Sequence, residues 1–434
     1  MKQIRRHLPA LGLILSAAFA VRFAWVWAIH PDPTDGRFDD TVWYRGAAHF
    51  LARGEGYLNP FTGTPTAGWP PGYPAFLGAT FKLFGEGVAQ TAAANITVML
   101  LTIVVVYAIG VLLFDRRTAL VAAGALAVWP GQVYFASLTL SEPLFTMLFA
   151  LAVLLMLVAS RVDAPRGALV LAFGVVTGAA VLTRGQALLL LPLAVLCWRI
   201  EGARWRSAIG WGMLAAIVVG LMLAPWVARN QQQLGSPVII STNIGANLWI
   251  GNHEGATGRM QSDEPIPLPD RGELTQPEYE VKANSLALRK GLSYMLTHPA
   301  DELRLSVNKL RAMYESDATA LDWNSGYTSG YYGERSEPLL RGAANGFWFA
   351  ALALSVVGLI ASRARLTGAT AMLPVTALAW TATHLIFFGD SRFHYPVVFV
   401  FALLGARGAV VIFEALRSPR RALNDALSPR NAAA

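Results

Sequence analysis

Apolar residues run along the chain in long blocks divided by short polar breaks, at 8–29, 88–114, 118–136, 143–160, 168–183, 186–198, 207–228, 342–361, 367–388 and 395–413. A helix needs roughly 20 apolar residues to cross the hydrocarbon core of a bilayer, so the pattern predicts about ten transmembrane helices and an all-α polytopic fold. The fifth and sixth blocks are short. They form either one long helix over 168–198 or a hairpin turning at Thr183-Arg184-Gly185.

The charges between the blocks choose the hairpin. Basic residues gather at Lys2, Arg5 and Arg6, at Arg116/Arg117, at Arg161/Arg166, at Arg199/Arg204/Arg206, at Arg363/Arg365, and in the tail at Arg417, Arg420, Arg421 and Arg430. Only five acidic residues accompany them: Asp115, Asp163, Glu201, Glu414 and Asp425. Ten spans put every cluster on one face, which the positive-inside rule makes cytoplasmic. Both termini are then inside, and the chain is a multi-pass protein of a cell inner (plasma) membrane. The first block is longer than the roughly 7–15-residue core of a signal peptide. It is also followed by His30 rather than a small-residue cleavage site, so it is expected to stay as an uncleaved span. Arg22 lies within it, where a lone charge is costly. A partner is expected, either a carboxylate of the first loop or the external surface.

Two long polar stretches remain, both external. They divide the chain into an N-terminal transmembrane module (1–228) that includes the first loop (30–87), a partly helical loop domain (229–340), and a C-terminal transmembrane module with its tail (341–434). In the first loop, 71–84 reads as a short interfacial helix. In the second, Thr275-Gln-Pro-Glu278 has the spacing of a capping box with proline near the helix start, and Pro299 opens a second helix.

Composition narrows the class further. Of 434 residues, 54% are hydrophobic and 14% charged, against roughly 25% charged in a soluble domain. The net charge of +8 resides in the clusters above, and no nucleic-acid partner is implied. The lone Cys197 excludes a disulfide framework. No P-loop, dinucleotide glycine turn, HExxH or CxxC is present, and the His residues show no metal-ligand spacing.

The densest polar signal is Phe38-Asp39-Asp40-Thr-Val-Trp43-Tyr44, just after the first span. Paired carboxylates flanked by aromatics at a membrane surface suit removal of an acceptor hydroxyl proton, or a cation. The same spacing suits an Asp cap for a helix starting at Thr41, and the two readings can coexist.

Several further motifs follow in order. Tyr44 and Ala48 lie four and eight residues after Asp40. They are followed by Gly54-x-Gly56-Tyr57, Trp69-Pro-Pro-Gly-Tyr73-Pro74, Leu140-Ser-Glu142-Pro-Leu-Phe145, Leu182-Thr-Arg184 and Asp390-Ser-Arg392-Phe-His394-Tyr395-Pro396. Together, all on the external face and spanning most of the chain, they resemble the bacterial family-39 glycosyltransferases. These belong to the GT-C superfamily, with the protein O-mannosyltransferases and the lipid A aminoarabinose transferases.

The resemblance implies a membrane glycosyltransferase that moves one sugar from a polyprenyl-phosphate donor to a lipid, glycan or protein acceptor on the external face, with inversion. Asp40 occupies the family's catalytic-base position. The family usually has Glu directly after it, where this chain has Thr41; Asp39 supplies a second carboxylate from the other side. Glu142 is a further carboxylate for orienting the acceptor or sugar, and also a plain helix cap. Arg392 and Arg184 are expected at the donor phosphate, where a planar guanidinium suits bidentate contact; His394 and Tyr395 adjoin them. Tyr44, Trp69 and Tyr73, with Asn247, Trp249, Asn252 and His253 of a Gly/Asn-rich segment, are expected on the acceptor or sugar side. No cofactor and no metal is expected; a divalent cation at Asp39/Asp40 would follow the oligosaccharyltransferase branch instead. Two other classes share ten spans: an O-antigen ligase or polymerase using a diphosphate-linked glycan, which the Asp pair argues against, and a transporter or flippase, which would place its polar groups at mid-membrane.

Overall fold

The computed structural model describes residues 8–31, 40–161, 166–261, 265–327, 336–362 and 368–417. Asp39 and the arginines at 363, 365, 420, 421 and 430 lie outside them. All ten expected blocks are helical. Eight helices are long and apolar enough to cross a membrane: α1 (Leu8–Ile29), α4 (Val88–Leu113), α7 (Glu142–Arg161), α8 (Arg166–Thr183), α10 (Trp205–Leu234), α15 (Ser336–Ala361), α16 (Met372–Ile386, entered through a 3₁₀ turn from Gly368) and α17 (Val398–Arg417, entered through a 3₁₀ turn over Ser391–Val397). The chain is a multi-pass, all-α membrane protein with no strand among its described residues.

The other two blocks are irregular for local reasons. The third is a bent pair, α5 (Arg116–Val128) and α6 (Pro130–Tyr134), turning by 50°. Trp129 is extended between them, with Pro130 opening the second piece, as expected where proline cannot continue a helix. The sixth is a short 3₁₀ turn and α9 (Leu190–Ile200). Arg184, extended at φ −149° and ψ 119°, forms the hairpin before it.

Alternation of the helices puts Arg116, Arg117, Arg161, Arg166, Arg199, Arg204 and Arg206 at one end of the bundle and Asp40, Glu142, Arg184 and Arg392 at the other. The basic end is laced by polar contacts. Asp115 caps α5 through the amides of Arg117 and Thr118. Arg161 donates to the Leu112 carbonyl at 2.6 Å, and Glu201 accepts from the Ala369 amide at 2.5 Å.

Arg22 takes neither of its expected partners. It is 2% exposed, and its Nη atoms donate to the carbonyls of Ala127 (2.8 Å), Leu126 (2.9 Å) and Ala18 (3.2 Å). The break at Trp129 leaves the last carbonyls of α5 without intrahelical amides, and the guanidinium fills that position. A cation there also faces the negative end of the helix dipole.

Between α1 and α4 lie α2 (Asp40–Arg53) and α3 (Gly72–Phe84); the latter is the expected interfacial helix. The second loop holds α11 (Ile244–Gly251), α12 (Gln276–Thr297), α13 (Pro299–Tyr314) and α14 (Thr319–Tyr327). The capping box forms at Thr275 and Glu278, and Pro299 does open α13. Glu280 of α12 accepts from Thr66 Oγ1 (2.6 Å), the Ala67 amide (2.9 Å) and Thr242 Oγ1 (2.5 Å). Arg229 of α10 donates to the backbone carbonyls of Thr66 (2.7 Å) and Tyr57 (2.5 Å). These two side chains clamp the segment 57–67 against the second loop and α10.

The C-terminal spans α15 and α17 meet backbone to backbone. A Cβ on Gly358 would fall 1.9 Å from the Leu404 carbonyl oxygen, whereas one on Gly346 of the same helix would meet nothing within 4 Å. Small residues at such crossings let helices approach closely in lipid. Overpacking costs about 1–3 kcal/mol. Gly358→Ala is therefore expected to lower the thermal unfolding midpoint of the purified protein, and Gly346→Ala to leave it unchanged or raise it.

Candidate active site

The carboxylate of Asp40 sits in the first turn of α2, where the helix dipole favours a negative charge. Both its oxygens are engaged from elsewhere in the chain. Oδ2 accepts from Arg392 Nη1 at 2.8 Å, and Oδ1 accepts from Trp69 Nε1 at 3.2 Å. Trp69 is held by tilted ring contact with Trp43 of α2, ring centroids 4.4 Å apart, and by the donation of Tyr57 Oη to its carbonyl at 2.8 Å.

Arg392 is placed by the turn Asp390-Ser391-Arg392. The Asp390 side chain accepts from the Arg392 amide at 2.8 Å, and Ser391 Oγ is bonded to Thr319 Oγ1 of α14. The guanidinium lies 5.3 Å from the ring centre of Trp323 and 5.4 Å from that of Phe393. Its Nε is buried without a partner among the described residues.

A second ion pair stands beside the first. Glu142, which opens α7 and is fully buried, accepts from Arg184 Nη2 at 2.5 Å. Arg184 Nε also donates to Ser141 Oγ at 3.0 Å. The other carboxylate oxygen of Glu142 is buried with no partner among the described residues. Tyr44 joins the two pairs: it lies one turn beyond Asp40, and its hydroxyl is 3.5 Å from Ser141 Oγ. Burial first, and then the nearby Asp40 carboxylate, push the Tyr44 phenol well above its ordinary range. It is therefore a fixed proton carrier and not an acid or base near neutrality. Tyr73 packs edge-on against it at 5.2 Å and donates to Asn95 Oδ1 at 3.2 Å.

Four residues singled out in the sequence thus converge at one end of the bundle as Asp40–Arg392 and Glu142–Arg184, with Tyr44, Trp69 and Tyr73 packed around them. Two others do not join them. His394 is buried with Nδ1 on the Met313 carbonyl (2.8 Å) and Nε2 on Asp317 Oδ1 (2.9 Å), its ring stacked 4.2 Å from Trp348. With both nitrogens taken by interior acceptors it has none for a phosphate. Tyr395 is also buried, edge-on to Phe135 at 4.3 Å. Both anchor the turn that carries Arg392.

The Gly/Asn-rich segment splits in the same way. Asn252 is fully buried, donating to the Leu248 and Ile386 carbonyls (2.6 and 2.8 Å) and accepting from Lys309 Nζ (2.5 Å). His253 is buried under Trp249, stacked at 5.0 Å. Asn247 and Trp249 stay partly accessible on α11. The segment bears on the site through its backbone: the Gly389 amide donates to the Gly258 carbonyl at 2.8 Å, immediately before Asp390.

Asn95, Asp317, Glu280 and Arg229 carry this architecture and were not singled out from the sequence. Asn95 has a visible signal, an amide within an apolar span, and it holds the Leu138 carbonyl at 2.7 Å beside the Ser141-Glu142 turn. Asp317, which also accepts from Trp129 Nε1 at 2.7 Å, has none.

Residues 69–228 match the family model of dolichyl-phosphate-mannose-protein mannosyltransferase; that stretch holds Trp69, Tyr73, Glu142 and Arg184. No curated protein matches the chain by sequence. Among solved structures, the archaeal oligosaccharyltransferase AglB from Archaeoglobus fulgidus, in complex with an inhibitory peptide and a dolichol-phosphate, is 18% identical. The match covers 98% of this chain and 52% of that one, with a TM-score of 0.56. The same organism's oligosaccharyltransferase in complex with Zn and sulfate is 16% identical over 94% and 49%, with a TM-score of 0.57. ArnT from Cupriavidus metallidurans bound to undecaprenyl phosphate is 16% identical over 94% and 79%, with a TM-score of 0.45. The chain spans about half the length of the oligosaccharyltransferases it resembles. At such identities the likeness is one of fold, and the fold is GT-C-like.

Breaking a buried ion pair by removing one partner costs about 3–5 kcal/mol, while replacing both with apolar groups can be nearly neutral. Glu142→Leu is therefore expected to lower the unfolding midpoint markedly, and the double variant Glu142→Leu/Arg184→Met to recover most of the loss in the same measurement.

Proposed function

We propose that this protein is a glycosyltransferase that moves a single sugar from a polyprenyl-phosphate donor to an acceptor hydroxyl, with Asp40 as general base. The observation that carries the reading is the contact of Asp40 with Arg392 at one end of a membrane bundle: a carboxylate fit to take a proton, facing a cation fit to hold a phosphate. Support comes from the GT-C-like fold and from the mannosyltransferase family model over residues 69–228.

In this reading the acceptor oxygen attacks the anomeric carbon from the face opposite the phosphate. As that bond forms, the acceptor proton passes to Asp40. The bond from the anomeric carbon to the phosphate oxygen breaks, its electron pair leaves with the polyprenyl phosphate, and the anomeric configuration inverts. Arg392 stabilises the charge that develops on the phosphate, with Arg184 as a second cation. Asp39 stands as a further carboxylate. Tyr44, Trp69 and Tyr73, with Asn247 and Trp249, provide aromatic faces and an amide for the sugar or acceptor.

Arg392 cannot serve both partners fully. While it donates to Asp40, that guanidinium hydrogen is not free for a donor phosphate. A donor phosphate draws the guanidinium toward itself and frees that oxygen of Asp40 to face the acceptor hydroxyl. In this reading Asp40 faces the non-cytoplasmic side of an inner membrane, which the arginines at the opposite end support through the positive-inside rule.

Purified protein in lipid, given radiolabelled polyprenyl-phosphate mannose, glucose, galactose or arabinose with membrane extract as acceptor, is expected to move label from one of them. General-base catalysis contributes about 10²–10⁴-fold, so Asp40→Asn should reduce transfer by at least about 100-fold with the fold intact. Arg392→Lys should raise KM for the donor. Transfer only from a diphosphate-linked glycan, or full activity in Asp40→Asn, would overturn the reading.

A further inference from the structure

The turn that carries Arg392 is anchored on both sides. After it, Trp380 Nε1 donates to the Phe393 carbonyl at 2.7 Å, and His394 is held by Met313 and Asp317. Before it, the polar contacts come from the second loop. Lys309 of α13 is buried, and its Nζ donates to the Leu385 carbonyl at 3.1 Å and to Asn252 Oδ1 at 2.5 Å. Glu302 Oε2, 3.6 Å away, is its counter-charge. Asn252 carries the contact one residue further, its Nδ2 donating to the Ile386 carbonyl at 2.8 Å.

Leu385 and Ile386 close α16, and the last carbonyls of a helix have no intrahelical amide to accept from. An ammonium placed there satisfies one of them and faces the negative end of the helix dipole. The rest of the strap is tied to α13 as well. The Gly389 amide donates to the Gly258 carbonyl at 2.8 Å. The stretch around Gly258 is fixed by Asn308 of α13, which donates to the Thr257 carbonyl at 3.1 Å, and by the ion pair of Arg259 with Glu315, the residue after α13. Backbone meets backbone at both ends of the strap: a Cβ on Gly251 would run into the Phe387 carbonyl, and one on Gly389 into that of Lys309. A displacement of α13 therefore has little slack to absorb it before Asp390.

We propose that Lys309, together with Asn252, is a positioning residue for Arg392. It fixes the 385–389 strap where the guanidinium meets Asp40 and, in the transfer reaction, the donor phosphate. The assignment rests on that reading of Arg392 as the phosphate ligand. Lys309 is closed off by burial from any substrate and acts through the backbone it holds. Its loss would leave the Leu385 carbonyl without its partner and Glu302 as a buried charge without a counter-ion, which is costly, so the second loop and the reacting end of the bundle stand or shift together.

The test uses the full chain in lipid nanodiscs, titrated calorimetrically with farnesyl phosphate, a short polyprenyl phosphate that carries no sugar. Lys309→Met/Glu302→Gln removes the ammonium without stranding a buried charge, so it should unfold near the wild-type midpoint. Amide hydrogen exchange over 387–393 should nevertheless quicken in it, and binding should weaken by about tenfold, the worth of one charge-assisted hydrogen bond. Arg392→Met should weaken binding by a similar factor, and the triple variant no further, because both changes act on one contact. Asn252→Asp keeps the oxygen that faces Lys309 but loses the donor to Ile386, and should quicken exchange of the same amides. With binding weakened in Arg392→Met, wild-type exchange or wild-type affinity in Lys309→Met/Glu302→Gln, wild-type exchange in Asn252→Asp, or a binding loss that adds to that of Arg392→Met would overturn the assignment. No binding by the wild type, or full binding by Arg392→Met, would overturn the reading of Arg392 itself and this assignment with it.

Discussion

A membrane interior offers no water to solvate a stray charge, and the bundle is organised around that constraint. Among the described residues its charged side chains lie at the two ends, are matched with opposite charges or, for Arg22, are held by backbone carbonyls. Asp40 and Arg392 meet across 352 positions of sequence, so the first loop and the penultimate turn must arrive at the same point for either charge to be tolerated. Glu142 and Arg184 impose the same condition on α7 and α8. The fold around the site is thus specified by electrostatic matching as much as by apolar packing, because a helix shifted along its axis would strand a charge.

The matching also explains why aromatic residues surround the site. Trp69, Trp323 and Phe393 offer a carboxylate a donor and guanidinium groups a ring face, interactions that survive where hydration is poor. The tyrosines at 44 and 73 extend the polar surface inward without adding charge. Asn95 ends that chain at the Leu138 carbonyl.

Much of this was legible in the sequence, and the parts that were not have physical reasons. Span positions, the hairpin at Arg184 and the shared end of the arginines at 116, 117, 161, 166, 199, 204 and 206 followed from hydropathy and charge, because both act locally along the chain. The capping box at Thr275 was readable for the same reason. Pairings were not, since nothing local in Asp40 points to residue 392. Grouping His394 and Tyr395 with Arg392 relied on adjacency, and adjacency in a 3₁₀ turn does not say which side chains turn inward. For Arg22, a carboxylate or the external surface was the natural expectation, and the carbonyls it uses exist only because α5 breaks at Trp129. Asp39 lies outside the described residues.

The clamp on the 57–67 segment bears on how this region tolerates change. Arg229 holds the carbonyls of Tyr57 and Thr66, and Glu280 takes the Ala67 amide; any residue supplies such groups. Pro60 is constrained by its fit against Gly46 of α2, but Phe61 to Gly63 are exposed, with Gly63 in the left-handed region at φ 68°. Trp69 therefore keeps its place over Asp40 whatever the chemistry of that tip. The tip can change in length and character without touching the contacts that hold Trp69 and Asp40, and it is the natural point at which to graft a short epitope or a new recognition element.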